Sequence, residues 1–120
     1  GSGGLSLHLA RVLGDKGHLI TAEPRIEHSD VGLLNLERAS KCFPEFPKHT
    51  HFDSLVETIE LDEKSDAVIL DMPEHKAAIL SCSAHLCVGG RLACYAPTIA
   101  QLEICWKACE EAGLDIEWGR

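Results

Sequence analysis

Three carboxylates stand where a fold can most readily put them to work. Asp71 follows the apolar run Ala67-Val68-Ile69-Leu70 and precedes Met72-Pro73, Glu23 closes His18-Leu19-Ile20-Thr21-Ala22, and Asp53 follows His49-Thr50-His51-Phe52. A carboxylate at the end of a buried strand can accept a proton or a hydrogen bond from a substrate amine, and Asp71 is the sharpest candidate for that work. Its bland alternative is capping a helix that starts at Glu74. An acid in the position of Glu23 can accept the hydroxyls of a ribose. Asp53 would face the amino group of an adenine, or cap a short helix beside Ser54.

The fourth feature is Gly1-Ser2-Gly3-Gly4, which runs directly into a helical pattern. Gly3 and Gly4 let backbone approach a ligand closely, and the helix that follows offers unpaired N–H groups. A dinucleotide fingerprint would need G-x-G-x-x-G, whereas Ser6 occupies the sixth position. A looser glycine turn, with Glu23 after the next strand, fits a nucleoside ligand of the S-adenosyl-L-methionine type, where no pyrophosphate must be held. The alternatives are a tight turn with a solvated acid, or an expression-tag scar.

Other constellations carry less. His49-x-His51-x-Asp53 would share one strand face and could in principle ligate a metal, but it reads as a polar strand end, and no metal is expected. Cys105 and Cys109, one helical turn apart, read as core packing. Nothing resembles a nucleophilic serine elbow.

These residues need elements to hold them. Periodicity predicts helices over 5–13, 30–40, 74–87 and 98–112, with Gly14 and Gly113 as stops and Gly32 weakening the second. Strands are predicted over 18–22, 49–52, 66–71, 91–96 and 114–118, and Pro44 and Pro47 make 42–48 a loop. Ser54-x-x-Glu57 and Thr98-x-x-Gln101 are capping boxes. The last helix should bury Leu102, Cys105, Trp106 and Cys109. The strand 66–71, apolar between acids, is expected to be covered on both faces. Alternating strands and helices give an α/β class and a Rossmann-like parallel sheet with helices on both faces. A glycine turn normally follows a strand, so the 120 residues read as one domain fragment, truncated at both ends.

Apolar residues make up 45%, enough for a core, while 11 basic against 19 acidic residues give a net charge of −8. That balance argues against this stretch gripping a phosphate backbone by itself. No run reaches the length of a membrane span. Six cysteines without a CxxC pair read as reduced thiols of an intracellular protein.

Four segments together resemble one family. Gly1-Ser2-Gly3-Gly4-Leu5-Ser6-Leu7 resembles the first methyltransferase motif of the tRNA (adenine-58-N1) methyltransferases, and Glu23-Pro24-Arg25-Ile26-Glu27-His28 their E-x-R-x-x-H stretch. Asp71-Met72-Pro73 is similar to their catalytic strand end, and Pro97-Thr98-Ile99-Ala100-Gln101-Leu102 to their P-[NCT]-I-x-Q-[VL] segment, the most specific of the four. The resemblance implies a class I methyltransferase fold and S-adenosyl-L-methionine as cofactor, with methyl passed to N1 of an adenine in the tRNA T-loop. It puts Gly1, Gly3, Gly4 and Leu5 at the cofactor's amino-acid end, Glu23 at its ribose and Asp53 beside its adenine, and it counts Ser2, Arg25 and His28 among the cofactor-binding residues. Asp71 would lie against the cofactor and hydrogen-bond the target adenine's exocyclic amine, with Pro97, Thr98 and Gln101 on the substrate side. The family's amino-terminal β-domain, first strand and closing strands would lie outside this stretch. Homo- or hetero-tetramers are implied, in the nucleus or mitochondrion of a eukaryote or the cytoplasm of a bacterium. Where many members carry a tryptophan after the catalytic acid and proline, this chain has Glu74-His75. The alternatives are another class I methyltransferase (isoaspartyl-like or acting on a small molecule) and a non-catalytic Rossmann-like binding subunit.

Overall fold

The first helix starts inside the glycine cluster. In the computed structural model, which describes residues 3–119, the elements alternate between helix and strand and divide into two units, Gly1–Ile59 and Glu60–Arg120.

The first unit holds α1 (Gly4–Leu13), β1 (His18–Ala22), α2 (Ile26–Cys42), β2 (Lys48–Phe52) and a 3₁₀ turn (Val56–Thr58). Strands β1 and β2 pair in parallel without slippage from His18↔Lys48 to Ala22↔Phe52. Ala10 of α1 and Leu36 of α2 bury against Leu19 of β1, with Leu7, Leu9 and Phe46 packed around them. Gly14 stops α1 with φ of 64°, a backbone state that only glycine adopts without cost.

Helix α2 is longer at both ends than the apolar pattern predicts. Glu27 in the first turn and Lys41 in the last suit the helix dipole, and Lys41 also reaches Glu37 at 3.1 Å. These charged turns carry no apolar periodicity, so the pattern does not reveal them. The Ser54 capping box does not form. Leu55 takes the cap position of a single 3₁₀ turn, closed by the Thr58 hydroxyl donating to the Leu55 carbonyl at 2.8 Å.

The second unit holds β3 (Ser65–Leu70), α3 (Lys76–Ser83), β4 (Leu86–Cys94) and α4 (Ile99–Glu111). Strands β3 and β4 are parallel, in register from Ala67↔Arg91 to Leu70↔Cys94, with an irregularity between Ser65 and Ala67. Gly89 has φ of 80°. A kinked strand can therefore begin at Leu86, taking residues that periodicity gave to the preceding helix. Short apolar runs such as Leu86-Cys87-Val88 satisfy either template, which is why α3 proves shorter than expected.

Ala78, Ile79 and Cys82 of α3, Cys105 and Ala108 of α4 and Leu70 of β3 form the buried apolar set. The inward stripe of α4 is rotated from the expected one. Leu102 and Cys109 are only partly buried, and Trp106 is exposed, its indole N–H donating to Glu110 at 3.1 Å. Strand β3 is not covered on both faces: Leu70 is buried but Ala67 and Ile69 are exposed. Residues 114–118 form no strand. All six cysteines are free, and burial, reinforced by the neighbouring thiols of Cys105 and Cys109, pushes Cys94 up to about 12. The thiol core is thus neutral and packs as small apolar groups.

Replacing Ile79 by Ala should lower unfolding free energy by about 2–5 kcal/mol, since a fully buried side chain leaves a cavity. The exposed Val12→Ala should stay within about 0.5 kcal/mol. Urea denaturation midpoints of the two variants check both figures.

Candidate active site

In the first unit, parallel pairing runs one bond past the strands. The Glu23 amide donates to the Phe52 carbonyl at 3.1 Å, so Glu23 and Asp53 follow directly on paired strand ends. The Glu23 side chain is 13% exposed and accepts a hydrogen bond from Arg25 Nε at 2.6 Å. Burial pushes its carboxyl up, while the hydrogen bond and charge of Arg25 help to hold it below the usual value. His28 is exposed in the first turn of α2.

Asp53 is the end of a polar network. The Ser29 hydroxyl, on α2 and 2% exposed, donates to Asp53 Oδ1 and also meets His51 Nε2 at 2.7 Å. His51 Nε2 lies 3.1 Å from the same carboxylate oxygen. Across the strand pair, Thr21 Oγ1 contacts His51 Nδ1 at 2.7 Å and His49 Nε2 at 2.8 Å. The Ser29 bond, opposed by slight desolvation and helped by His51, holds the Asp53 carboxyl below its ordinary value. Burial, with the charges of His51 and His18, lowers His49 and favours its neutral form. The histidine nitrogens are thus engaged by hydroxyls. His49, His51 and Asp53 are joined by hydroxyls at the strand end, and among the described residues no group of three such side chains is placed to hold a metal ion.

Gly3 sits in the left-handed region with φ of 89°, and a Cβ there would stand 3.2 Å from Cα and O of Gly32. Glycine is required on both counts: the backbone turn and the close approach to α2. Gly4 and Leu5 open α1 in exposed positions, where the first amides lack intrahelical acceptors. Gly1 and Ser2 lie outside the described residues.

In the second unit the same device recurs. The Tyr95 amide donates to the Leu70 carbonyl at 3.1 Å, which sets Asp71 and Tyr95 side by side beyond the last pair, Leu70↔Cys94. Both are exposed, Tyr95 at 64%. Asp71 does not cap the next helix, which begins at Lys76 with His75 in the cap position. The Thr98 box does form: Thr98 Oγ1 accepts from the Gln101 amide at 3.2 Å and donates to Gln101 Oε1 at 2.9 Å. Gln101 Nε2 in turn donates to the Pro73 carbonyl at 3.5 Å, tying the segment after Asp71 to the start of α4. Pro97 and Thr98 are exposed. Sequence reasoning does not reach the roles of Ser29, His51 and Tyr95. Ser29 belongs to no motif, His51 stands out only as a possible metal ligand, and Tyr95 becomes visible only when strand register sets it beside Asp71.

Known proteins resemble this chain over most of its length. The family model for the tRNA methyltransferase complex GCD14 subunit matches residues 1–117. The tRNA (adenine(58)-N(1))-methyltransferase TrmI of one strain of Thermus thermophilus is 32% identical over 125 aligned residues, covering 98% of this chain and 48% of that protein. Its counterpart in a second strain of the same species is 31% identical with the same coverage. The chain thus spans about half the length of these curated relatives. A SAM-dependent O-methyltransferase from Thermotoga maritima superposes with a TM-score of 0.80 at 31% identity, over 92% of this chain and 40% of that one. A structure from Thermoplasma acidophilum reaches 0.84 at 23% identity over 96% of this chain and 50% of that one, a likeness of fold alone. The fold is Rossmann-like, of the methyltransferase type, and the chain belongs to the GCD14 tRNA methyltransferase family.

Proposed function

We propose that the protein containing this chain is an S-adenosyl-L-methionine-dependent tRNA methyltransferase that modifies N1 of adenine 58 in the T-loop. Family membership and the TrmI relatives support the reaction class. The observation that carries the assignment of Asp71 is its position: exposed, level with the exposed Tyr95 at the end of the paired strands, and not used as a helix cap.

The residues present suit the cofactor. Glu23 is a nearly buried, ionised acceptor for ribose hydroxyls, Asp53 retains one oxygen for an adenine amine, and the exposed start of α1 at Gly4 has open space where a side chain would stand. Arg25 holds Glu23 in place, and His28 stands exposed one turn away as a further polar contact. When bound, S-adenosyl-L-methionine supplies an electrophilic methyl group on a sulfonium. Asp71 accepts a hydrogen bond from the target adenine's exocyclic amine and so turns the N1 lone pair outward for in-line attack. Methyl transfer needs orientation more than a strong base. The product ring is cationic, and the carboxylate of Asp71 stabilises that charge as it develops. Tyr95 offers a flat face for the base to stack on. Pro97, Thr98 and Gln101 fix the segment opposite: the Gln101 bond to Pro73 limits how far the Asp71 segment can move.

With a net charge of −8, this stretch is a poor grip for tRNA phosphates. We assign the basic surface to the rest of the protein or to further subunits of a tetramer. A tRNA substrate implies a protein that works inside the cell.

Asp71→Ala should cut methylation of tRNA transcripts about 100-fold or more while cofactor affinity stays within a few-fold, as expected for lost transition-state positioning. Label transfer to transcripts read against peptide and small-molecule acceptors checks this, and label on peptide alone overturns the assignment. Glu23→Ala should weaken cofactor binding about tenfold or more in calorimetry. Because the carboxyls of Glu23 and Asp53 are both held low, their ionised contribution persists above the ordinary carboxylate range and is lost as pH falls through the lowered values. Cofactor affinity should therefore weaken as pH falls below the ordinary carboxylate range, read by calorimetry over a pH series.

A further inference from the structure

The network behind Asp53 has one consistent proton arrangement when Asp53 is ionised and His51 neutral. The Ser29 hydroxyl donates to Asp53 Oδ1, so the 2.7 Å contact between His51 and Ser29 must carry the Nε2 proton of His51. His51 Nδ1 is then an acceptor, and Thr21 must donate to it at 2.7 Å. The remaining 2.8 Å contact needs the Nε2 proton of His49. Every donor from His49 through Thr21, His51 and Ser29 thus points toward one oxygen of Asp53. Such a one-way chain polarises each bond in turn and resists rotation of the carboxylate. The Asp53 side chain is nonetheless 65% exposed, and its other oxygen, Oδ2, has no hydrogen-bond partner among the described residues.

We propose that Ser29 and His51 are positioning residues that lock Oδ1 of Asp53 and leave Oδ2 as a fixed acceptor, making the site selective for a 6-amino purine over a 6-oxo purine at the cofactor's base. This rests on reading Asp53 as the acid that faces that base. An amine at purine position 6 donates to Oδ2, whereas a carbonyl there sets two acceptors against each other. A carboxylate free to rotate would instead relieve that clash and also bind the amine less well, so selectivity depends on the lock.

The test is calorimetry on the intact protein with S-adenosylhomocysteine and S-inosylhomocysteine, read as the ratio of the two affinities. The native protein should prefer the adenosyl ligand by about 100-fold, and Ser29→Ala should reduce that ratio about tenfold, chiefly by weakening the adenosyl ligand. His51→Leu carries the same expectation and stands in if Ser29→Ala does not fold. His51→Gln keeps a donor and should largely preserve the ratio. A loss of general stability would weaken both ligands alike and leave the ratio unmoved. Asp53→Asn presents a donor to position 6 and should erase or reverse the preference. If Asp53→Asn leaves the ratio intact, Asp53 does not face the base. If it removes the preference while Ser29→Ala and His51→Leu keep it, the positioning role is wrong and the placement of Asp53 stands.

Discussion

Parallel backbone pairing carried one hydrogen bond beyond the last strand residue decides which side chains become neighbours in each unit. Ala22 lies opposite Phe52 and Leu70 opposite Cys94, and the bonds from Glu23 and Tyr95 extend both ladders. The residues that emerge next, Glu23 with Asp53 and Asp71 with Tyr95, therefore leave their strands level with one another. A slip of one residue in either pair would turn every side chain to the opposite face. Leu19 fixes the first register by burying among Ala10 and Leu36, and Leu70 serves the second by lying buried at the strand end. Hydrophobic burial thereby sets the positions of groups that are themselves polar.

The two units stabilise their interiors differently. The second fills its core with small and thiol side chains, Ala78, Cys82, Cys105 and Ala108, around Ile79. Burial pushes the thiols of Cys94, Cys105 and Cys109 up, which favours their neutral form. The first unit gives part of its strand pair to hydroxyls and imidazoles. A buried hydroxyl such as Ser29 is tolerable only because each of its contacts is satisfied.

Much of this is legible from residue order. The apolar runs of β1 and β3, the glycine stops and the Thr98 box all survive in the structure because each depends on neighbours within a few positions. The carboxylates are legible for the same reason, since a strand followed by an acid is a local pattern. What is not legible depends on geometry at a distance. The side of α4 that faces inward, the conversion of Leu86 and Cys87 to strand, and the exposure of Ile69 follow from which element packs on which. Ser29 and Tyr95 belong to that class: one lies 24 positions from the acid it serves. The Ser54 box is a local signal that the structure does not use, since Leu55 takes the cap position of a single 3₁₀ turn.

One face of α2 bears three unrelated duties. Ser29, Gly32 and Leu36 are its buried residues, and they engage the Asp53 network, the glycine turn at Gly3 and the apolar core in turn. Each residue added or deleted between them would swing the remainder about 100° around the axis. The helix therefore behaves as a key with three teeth cut to one spacing. Point changes elsewhere on its surface are cheap, but a single insertion or deletion in 29–36 would spoil acid, turn and core together.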